Sequence, residues 1–247
     1  MKVVILCGGK GLRMNGVSGG IPKALVRVND KPIIWHIMKL YSHYGHHDFI
    51  LPLGYRGEQI KEYFMDQTWK DNDFILHLGK NKYDLLEKRI NWRVTFADTG
   101  LETMTGARIK QIEKFINEDT FLLTYGDGLA NVDMNALLQF HKEKGKIVTI
   151  TGVKIRSQYG HLSVKDGIAT EFEEKQKLDT IINGGFFVCN KDFFRYLSED
   201  TSCVLEEEPL RNIVKEGELA VFEYDGFWIG VDTPKDLKEA NEKWKEV

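Results

Sequence analysis

The first half of the chain alternates continuous apolar runs with stretches of helical period. Residues 3–6 form an unbroken apolar run, which is typical of a strand buried on both faces. Residues 33–44 instead carry apolar side chains at the spacing of one helix face, which predicts an amphipathic helix. The same alternation predicts strands at residues 49–53, 94–97, 121–124 and 147–155, and helices at residues 57–64, 107–115 and 134–144. Strands that alternate with helices predict an α/β fold with a doubly wound, mostly parallel sheet.

The second half is richer in short β segments. Asp166-Gly167 is a hairpin signal that separates β-rich residues 161–164 from residues 168–169. Further along, the pattern predicts a strand at residues 184–188, a helix at 208–215, a strand at 219–222 and a closing helix at 233–245. Residues 67–88 are polar and without a clear period, so they are predicted to form a long excursion. Because no repeat or linker interrupts the chain, we expect one domain over residues 1–247.

Composition narrows the class of protein. Hydrophobic residues make up 42% and charged residues 29% of the 247 residues, an ordinary globular usage that excludes a disordered, collagen-like or coiled-coil chain. With 34 Lys and Arg against 37 Asp and Glu, the net charge of −3 offers no basic field for nucleic acid. No apolar run approaches the roughly 20 residues that cross a bilayer. Three scattered cysteines without metal-binding spacing indicate reduced thiols, so we expect a cytoplasmic protein with no nucleic-acid or membrane partner.

A glycine-rich segment directly after the first predicted strand is the strongest local signal for a ligand site. Gly8, Gly9 and Gly11 allow the backbone to approach a ligand closely, and successive N–H groups there can form an anion-binding nest. Arg13 could add a bidentate contact to a phosphate. In an open α/β sheet, ligands bind at the carboxyl ends of the strands. The spacing matches neither of two common glycine-rich phosphate motifs, and a purely structural turn stays open as the alternative.

Two acidic residues are candidates for binding a metal ion. Asp127 follows a predicted buried strand and stands between two glycines, and Asp232 precedes the closing helix. Two carboxylates from separate strand ends could share one Mg²⁺ against phosphate oxygens. Taken singly, Asp127 is also compatible with a tight turn, and Asp232 with an ordinary acid at the start of a helix.

Three further segments are ordinary when each is taken alone. Lys23 beside Pro22 and the pair Glu174-Lys175 would be solvated charges, and Asn183 before two glycines would be a bulge. They indicate a ligand site only in combination with the glycine loop and the two aspartates.

Together these segments resemble the sugar-phosphate nucleotidylyltransferases, and among them the glucose-1-phosphate cytidylyltransferase family. The resemblance covers nearly the whole chain. It rests on the glycine loop, Pro22-Lys23, Tyr125-Gly126-Asp127-Gly128, Glu174-Lys175, Asn183-Gly184-Gly185-Phe186-Phe187, Gly226-Phe227-Trp228 and Asp232. It implies a Rossmann-like nucleotidyltransferase fold with a small β-rich acceptor-binding lobe. About residues 1–155 would be the nucleotide-binding half and about residues 156–247 the acceptor-binding half.

The resemblance also implies a role for each matching residue. Lys23, Arg13 and Asp127 would be catalytic, and Asp127 with Asp232 would hold Mg²⁺ as the cofactor. The nucleotide-binding residues would be Leu6, Gly8, Gly9, Gly11, Arg13, Lys23, Thr103, Arg108 and Gly126. The acceptor-binding residues would be Glu174, Lys175, Asn183 and Gly184.

The implied reaction joins CTP to a small phosphorylated acceptor, glucose 1-phosphate by family default, and releases pyrophosphate. A phosphate group is already ionised at neutral pH, so it can attack the α-phosphorus directly, without a general base. The implied partners are therefore CTP and the acceptor, with a homo-oligomer as an open alternative to a monomer.

The chain also departs from the family pattern. Leu12 stands where the family has a hydroxyl residue, Ile21 and Ala24 stand where it has a lysine and a proline, and Gln176 replaces a proline on the acceptor side. Lys23 and both aspartates are retained, which favours retained chemistry with an altered acceptor.

Two alternative functions stay open. One is a cytidylyltransferase of capsule or surface polysaccharide biosynthesis with a non-sugar acceptor, such as a phosphoramidate or phosphoglutamine. The other is a non-catalytic, nucleotide-binding regulatory subunit.

Overall fold

The computed structural model describes residues 1–9, 20–70, 73–80, 82–86, 90–155, 161–165, 168–173 and 180–246. The helices are α1 (Ile33–His43), α2 (Gly57–Lys70), α3 (Thr105–Gln111), α4 (Met134–Lys144), α5 (Glu208–Lys215) and α6 (Pro234–Lys243). The strands are β1 (Lys2–Leu6), β2 (Arg27–Val28), β3 (Lys31–Pro32), β4 (Asp48–Leu53), β5 (Phe74–His77), β6 (Lys82–Leu85), β7 (Arg93–Asp98), β8 (Thr120–Tyr125), β9 (Gly128–Ala130), β10 (Val148–Ile155), β11 (His161–Lys165), β12 (Ile168–Glu173), β13 (Thr180–Asn183), β14 (Phe187–Asn190), β15 (Leu219–Tyr224) and β16 (Trp228–Gly230).

A central sheet runs in the order β7, β4, β1, β8, β14, β10 and β13, with β15 added along β10. The strands β7, β4, β1 and β8 are parallel neighbours. β14 is antiparallel to both β8 and β10, and β15 is parallel to β10. Among the described strands of this sheet, only β13 and β14 therefore run against the rest. This topology confirms the predicted α/β fold with a mostly parallel sheet.

Helices cover both faces of the sheet. Val3 and Ile5 of β1 belong to one buried core cluster and Val4 belongs to another, so β1 is buried on both faces as its apolar run predicts. The first cluster includes residues of α1, α4 and α6, and the second includes residues of α3 and α5. Within the described residues, no helix combines the length and the apolar character needed to cross a bilayer.

The structure departs from the predicted elements at several places, among them the helix predicted at residues 107–115, which ends at Gln111, and the segments 67–88 and 184–188. α2 continues to Lys70, and β5 and β6 pair as a hairpin inside the predicted excursion of residues 67–88. The strand predicted at residues 184–188 begins only at Phe187. Gly185 and Phe186 have φ angles of +78° and +48°, and such left-handed residues cannot continue a strand. The predicted hairpin of β11 and β12 is confirmed by the pairing of Lys165 with Ile168, although its turn lies outside the described residues.

Candidate active site

The carboxyl ends of β1 and β8 form the floor of the candidate site. Leu6 pairs with Tyr125 at the last step of this parallel ladder, so the residues that follow both strands leave the sheet side by side. The N–H of Gly126 donates to the Leu6 carbonyl at 3.0 Å. A Cβ on Gly126 would lie 2.7 Å from that same oxygen, so the close approach of the two chains requires glycine.

A cavity of about 370 Å³ opens beside this junction, within the usual range of small-molecule sites. The structure brings together on its wall most of the residues that the resemblance assigns to the nucleotide. These are Leu6, Gly8, Gly9, Thr103, Arg108 and Gly126, with Asp127 at the same wall. Leu101, Glu102, Met104, Thr105 and Tyr125 complete the wall, and the sequence analysis predicts no site role for them.

Arg108 is a buried arginine that ties three strand ends together. Its guanidinium donates to the carbonyls of Gly8 (3.1 Å), Leu53 (3.0 Å), Gly100 (2.7 Å) and Leu101 (3.3 Å) and to the Thr99 hydroxyl (2.6 Å). These oxygens lie at or just beyond the ends of β1, β4 and β7. A Cβ on Gly8 would lie 2.5 Å from the guanidinium carbon, so Arg108 in this position leaves no room for a side chain at residue 8. Arg108 therefore lines the cavity while its donors hold the protein backbone.

Lys23 joins the two predicted metal ligands. Its Nζ lies 2.6 Å from Oδ2 of Asp127 and 2.5 Å from Oδ1 of Asp232, across sequence separations of 104 and 209 residues. The lysine side chain is 16% exposed, whereas those of Asp127 and Asp232 are 37% and 44% exposed. The ammonium thus lies on the inner side of the trio, and the carboxylates face the open side.

The lysine adjoins the larger cavity. Lys23 lines a second cavity of about 180 Å³, and Leu6, Gly9, Gly126 and Asp127 line both. A ligand that spans the two spaces would therefore touch the glycine pair and the lysine at once.

A short antiparallel ladder explains why the two carboxylates converge. β9 begins directly after Asp127, β16 ends shortly before Asp232, and Gly128 of β9 pairs with Gly230 of β16. The N–H of Val231 extends the ladder by donating to the Asp127 carbonyl at 2.9 Å. This pairing fixes the two aspartates at the same end of one ladder.

The neighbour of Asp232, not Asp232 itself, caps the last helix. The Thr233 hydroxyl accepts from the N–H of Asp236 at 3.2 Å, and the Asp236 carboxylate accepts from the N–H of Thr233 at 2.8 Å. This is a capping box at the start of α6. The Asp232 side chain is therefore not the helix cap, and its carboxylate is turned to Lys23 instead.

The electrostatics of the trio suit a cation site. Burial lowers the pKa of Lys23, but Asp127 and Asp232 outweigh it, so the pKa of Lys23 is raised and the lysine is charged at neutral pH. Mg²⁺ is commonly held by one or two carboxylates together with substrate phosphates. One cationic atom already contacts an oxygen of each aspartate, so this pair fits such an ion. The part of the chain that the structure describes holds no group of three or more His, Cys, Asp or Glu that would form an all-protein cage.

The predicted acceptor residues Asn183 and Gly184 lie against the end of β8. The Asn183 amide donates to the Tyr125 hydroxyl at 3.0 Å, and its oxygen accepts from the N–H of Gly185 at 2.9 Å. Gly184 is buried against β10, where a Cβ would lie 2.4 Å from a Val153 methyl group. The acceptor-side motif thus reaches the residue that precedes Gly126 and Asp127.

Tyr125 and Glu206 are candidate site residues that sequence reasoning misses. The Tyr125 hydroxyl donates to Glu206 at 2.6 Å, and the Thr105 hydroxyl donates to the other oxygen of Glu206 at 3.0 Å. A polar chain therefore runs from Asn183 to the first residue of α3. Burial raises the pKa of Tyr125, and Glu206 adds to the effect, so the phenol stays protonated. Tyr125 lies within a motif on which the family resemblance rests, although no role is predicted for it. Glu206 belongs to an acidic run that by itself predicts only a solvated surface.

Four of the predicted site residues, Gly11, Arg13, Glu174 and Lys175, lie outside the described residues. Cys7 lines the smaller cavity, but burial and the charge of Asp127 raise its pKa, and its thiol donates to the Ile5 carbonyl. It is a neutral core thiol rather than a nucleophile.

Comparison with known proteins places the chain among catalysts of nucleotidyl transfer. It matches the family model described as nucleotidyl transferase over residues 2–247. It is 50% identical over 246 residues to a Bacillus subtilis protein named probable glucose-1-phosphate cytidylyltransferase, a match that covers 100% of this chain and 97% of that one. It is 41% identical over 249 residues to the glucose-1-phosphate cytidylyltransferase of Salmonella typhimurium, covering 100% and 96%. The crystal structure of HddC from Yersinia pseudotuberculosis superposes with a TM-score of 0.72 at 26% identity, covering 99% of both chains.

Proposed function

The chain belongs to the nucleotidyl transferase family, and on that premise we propose that it is a magnesium-dependent cytidylyltransferase. It joins CTP to a small phosphorylated acceptor, with glucose 1-phosphate as the first candidate, and releases pyrophosphate. The observation that carries this proposal is the meeting of Lys23, Asp127 and Asp232 beside a cavity of about 370 Å³.

The proposed binding of the nucleotide is supported by the positions of Gly8 and Gly9. Arg108 fixes the Gly8 carbonyl, and Gly9 lines both cavities, so the start of the loop lies between the two spaces. Gly11 and Arg13 complete this triphosphate loop in the proposal. The choice of cytosine is supported by the names of the two relatives in Bacillus and Salmonella.

The proposed reaction is a direct displacement at the α-phosphorus of CTP. A bond forms from an oxygen of the acceptor phosphate to the α-phosphorus, the bond from that phosphorus to the bridging oxygen breaks, and pyrophosphate leaves. Because the attacking phosphate is already ionised, the protein needs to supply alignment and charge neutralisation rather than a base.

Each residue of the trio has a part in that neutralisation. Lys23 lines the smaller of the two adjoining cavities and would contact the phosphate that is transferred. Asp127 and Asp232 would hold Mg²⁺, which when bound supplies positive charge to the phosphate oxygens. A regulatory subunit without activity would have no need for the convergence of these three groups, and the family match speaks for an enzyme.

The acceptor is assigned to the face beyond Tyr125. Asn183 and Gly184 lie there, and we assign Glu174 and Lys175 to the acceptor phosphate. The names of both relatives favour a sugar 1-phosphate, whereas the departures on the acceptor side keep a non-sugar acceptor as the competing outcome. Asp232 belongs to the second half of the chain and Asp127 to the first. Each proposed half therefore contributes one carboxylate to the metal site.

The proposed function includes self-association of the chain and a place in the cell. The hairpin of β5 and β6 exposes Phe74, Ile75, Leu76 and Leu78, and an isolated two-stranded hairpin is only marginally stable in water. We assign this apolar surface to contacts between copies of the chain. The product would serve polysaccharide biosynthesis, and the enzyme would act in the cytoplasm.

Pyrophosphate release from a matrix of substrates tests the proposed function. CTP, UTP, dTTP, GTP and ATP are each combined with glucose 1-phosphate, other sugar 1-phosphates, phosphoglutamine and buffer alone, with and without a chelator. We expect release only from CTP with a sugar 1-phosphate, lost on chelation and restored by Mg²⁺. Release with phosphoglutamine but not with sugars would assign a non-sugar acceptor. Release from no pair that contains CTP would refute the cytidylyltransferase assignment.

A further inference from the structure

Lys23 bridges the two carboxylates that would hold a divalent cation. Its Nζ contacts Oδ2 of Asp127 and Oδ1 of Asp232 at nearly equal distances, 2.6 and 2.5 Å. We propose that Lys23 is an internal counter-cation that excludes bare Mg²⁺ from the Asp127–Asp232 pair, so that the metal binds only together with the nucleotide. This inference rests on the proposed function and goes beyond it, because it concerns the order in which the ligands bind.

The distances make joint occupancy unfavourable. Mg²⁺ binds carboxylate oxygens at about 2.1 Å, so an ion on Oδ2 of Asp127 would lie within about 5 Å of Nζ. Like charges at that separation repel strongly, and most strongly where the groups are partly withdrawn from water. The lysine side chain is the least exposed of the three, so water screens its charge poorly.

The surrounding structure keeps the lysine in place. It begins a 3₁₀ turn of residues Lys23–Leu25, in which the N–H of Val26 donates to the Lys23 carbonyl at 3.1 Å. The next residue, Ala24, is buried in the core, and the ladder of β9 and β16 holds the backbone of both aspartates in place. The ammonium can therefore leave the pair by a change of side-chain rotamers, without a shift of the backbone.

A triphosphate offers the lysine an alternative anion. The cavity that Lys23 lines shares Gly9, Gly126 and Asp127 with the larger cavity, so phosphates seated along the glycine pair come within its reach. Once the ammonium turns to the phosphates, its charge no longer opposes an ion that binds both the carboxylates and the same phosphates. Such coupling is reciprocal, so the metal raises nucleotide affinity by the factor by which the nucleotide raises metal affinity.

Binding of Mn²⁺ in the absence of nucleotide tests this directly. Free Mn²⁺ is counted by electron paramagnetic resonance during titration of the full chain. Lys23→Met keeps the length of the side chain and removes the charge, and it should bind bare Mn²⁺ at least about tenfold more tightly than wild type. Lys23→Arg restores a cation and should bind Mn²⁺ as weakly as wild type. Lys235→Met removes an exposed positive charge three residues after Asp232 and should change nothing.

Two further measurements locate the ion and the coupling. Asp127→Asn in the Lys23→Met background should abolish the gained affinity if the ion binds to the carboxylate pair. The α,β-methylene analogue of CTP should raise the Mn²⁺ affinity of wild type by a larger factor than that of Lys23→Met. Circular dichroism checks that each variant is folded, and Lys23→Gln replaces Lys23→Met if the latter is not.

The outcomes separate this inference from the function on which it rests. Equal affinity for bare Mn²⁺ in wild type and Lys23→Met, with substrate turnover intact in wild type, overturns the counter-cation role alone. A gain in Lys235→Met as large as that in Lys23→Met also overturns it, because the effect is then one of net charge. Absence of Mn²⁺ binding in every variant, even with the CTP analogue, refutes both this inference and the proposed metal site.

Discussion

At the scale of single residues, Arg108 shows how a charged side chain can shape a pocket by holding its walls. A guanidinium offers five N–H donors in a rigid fork, and those of Arg108 meet oxygens at the ends of three parallel strands. The sequence marks Arg108 only through the family resemblance, which implies contact with the nucleotide or substrate. Its backbone partners could not be predicted, because they come from strands whose register is set by long-range pairing.

Replacement of Arg108 by lysine should destabilise the fold. A single ammonium cannot reach five separate oxygens, and buried carbonyls left without donors each cost about 1–3 kcal/mol. We expect Arg108→Lys to lower the free energy of unfolding by about 2–4 kcal/mol in urea titration. Arg211→Lys, at an exposed position of α5, should cost less than about 0.5 kcal/mol. An Arg108→Lys variant as stable as wild type, with only nucleotide affinity lost, would identify Arg108 as a ligand contact rather than a structural tie.

His46 gives the stability a defined dependence on pH. The residue is buried, and neither ring nitrogen has a hydrogen-bond partner within the described structure. Burial, with a smaller effect of nearby positive charge, lowers its pKa to about 4. The unfolded chain therefore binds a proton at higher pH than the folded chain does, so stability is full above about pH 6.5 and falls as the pH drops toward 4.

Denaturation at two pH values checks this effect. Between pH 7.5 and pH 5, His46 alone should remove about 2 kcal/mol of stability. In His46→Phe that part of the pH dependence should disappear, whereas His43→Gln, at an exposed position of α1, should keep it. An unchanged pH dependence in His46→Phe would contradict the assignment.

At the scale of helices and strands, the most accurate predictions are of elements whose start and end signals lie directly beside them in the sequence. α4 has the predicted bounds, because Asp133 caps its first turn and Gly145, with φ +60°, ends it. β9 and β16 are three residues long each, too short to show a period, and neither is predicted. Their pairing brings Asp127 and Asp232 together. The sequence could therefore suggest which carboxylates matter, but not the ladder through which they meet.

The polar chain through Tyr125 connects two elements and should affect the acceptor. Tyr125→Phe removes the hydroxyl that links Asn183 of β13 to Glu206. We expect KM for the acceptor to rise by up to about tenfold, the equivalent of one lost hydrogen bond, with KM for CTP and kcat within about twofold. Steady-state kinetics with each substrate varied measure this.

Tyr196 provides the matched control for Tyr125. It forms a similar tyrosine–glutamate hydrogen bond with Glu216 on the outer surface, and Tyr196→Phe should leave both KM values unchanged. Glu206→Gln keeps a hydrogen-bond acceptor for the phenol and should be milder than Glu206→Ala. If KM for CTP rises as much as KM for the acceptor, Tyr125 does not act through the acceptor side.

At the scale of the whole molecule, the candidate site lies at the carboxyl ends of the inner strands β1 and β8, and both halves of the chain contribute to it. The family match confirms the resemblance to nucleotidylyltransferases that the glycine loop, Lys23 and the two aspartates indicate. The fold class follows from the alternation of strands and helices alone. The roles of all the predicted site residues stay predictions, and those of Gly11, Arg13, Glu174 and Lys175 rest on motif position only. Base and acceptor choice leave no pattern in the sequence that physical reasoning can interpret.

The exposed hairpin of β5 and β6 predicts self-association. Light scattering after size exclusion should give wild type a mass well above the 28.5 kDa of one chain. Leu76→Glu with Leu78→Glu places charges on the apolar surface and should shift the mass toward the monomer. Val214→Glu, at an exposed apolar position of α5, is the control and should have no effect. A monomeric wild type would refute the assembly.

The central claim is that one metal ion, held between Asp127 and Asp232, supports nucleotidyl transfer, and a double-mutant cycle on pyrophosphate release tests it most directly. Asp127→Asn and Asp232→Asn should each lower kcat by about 100-fold or more, while Asp225→Asn, at an exposed position, should not. Because both carboxylates serve the same ion, the double variant should be little worse than either single one. Losses that simply multiply, in an enzyme that keeps its activity after chelation, would contradict the shared metal site.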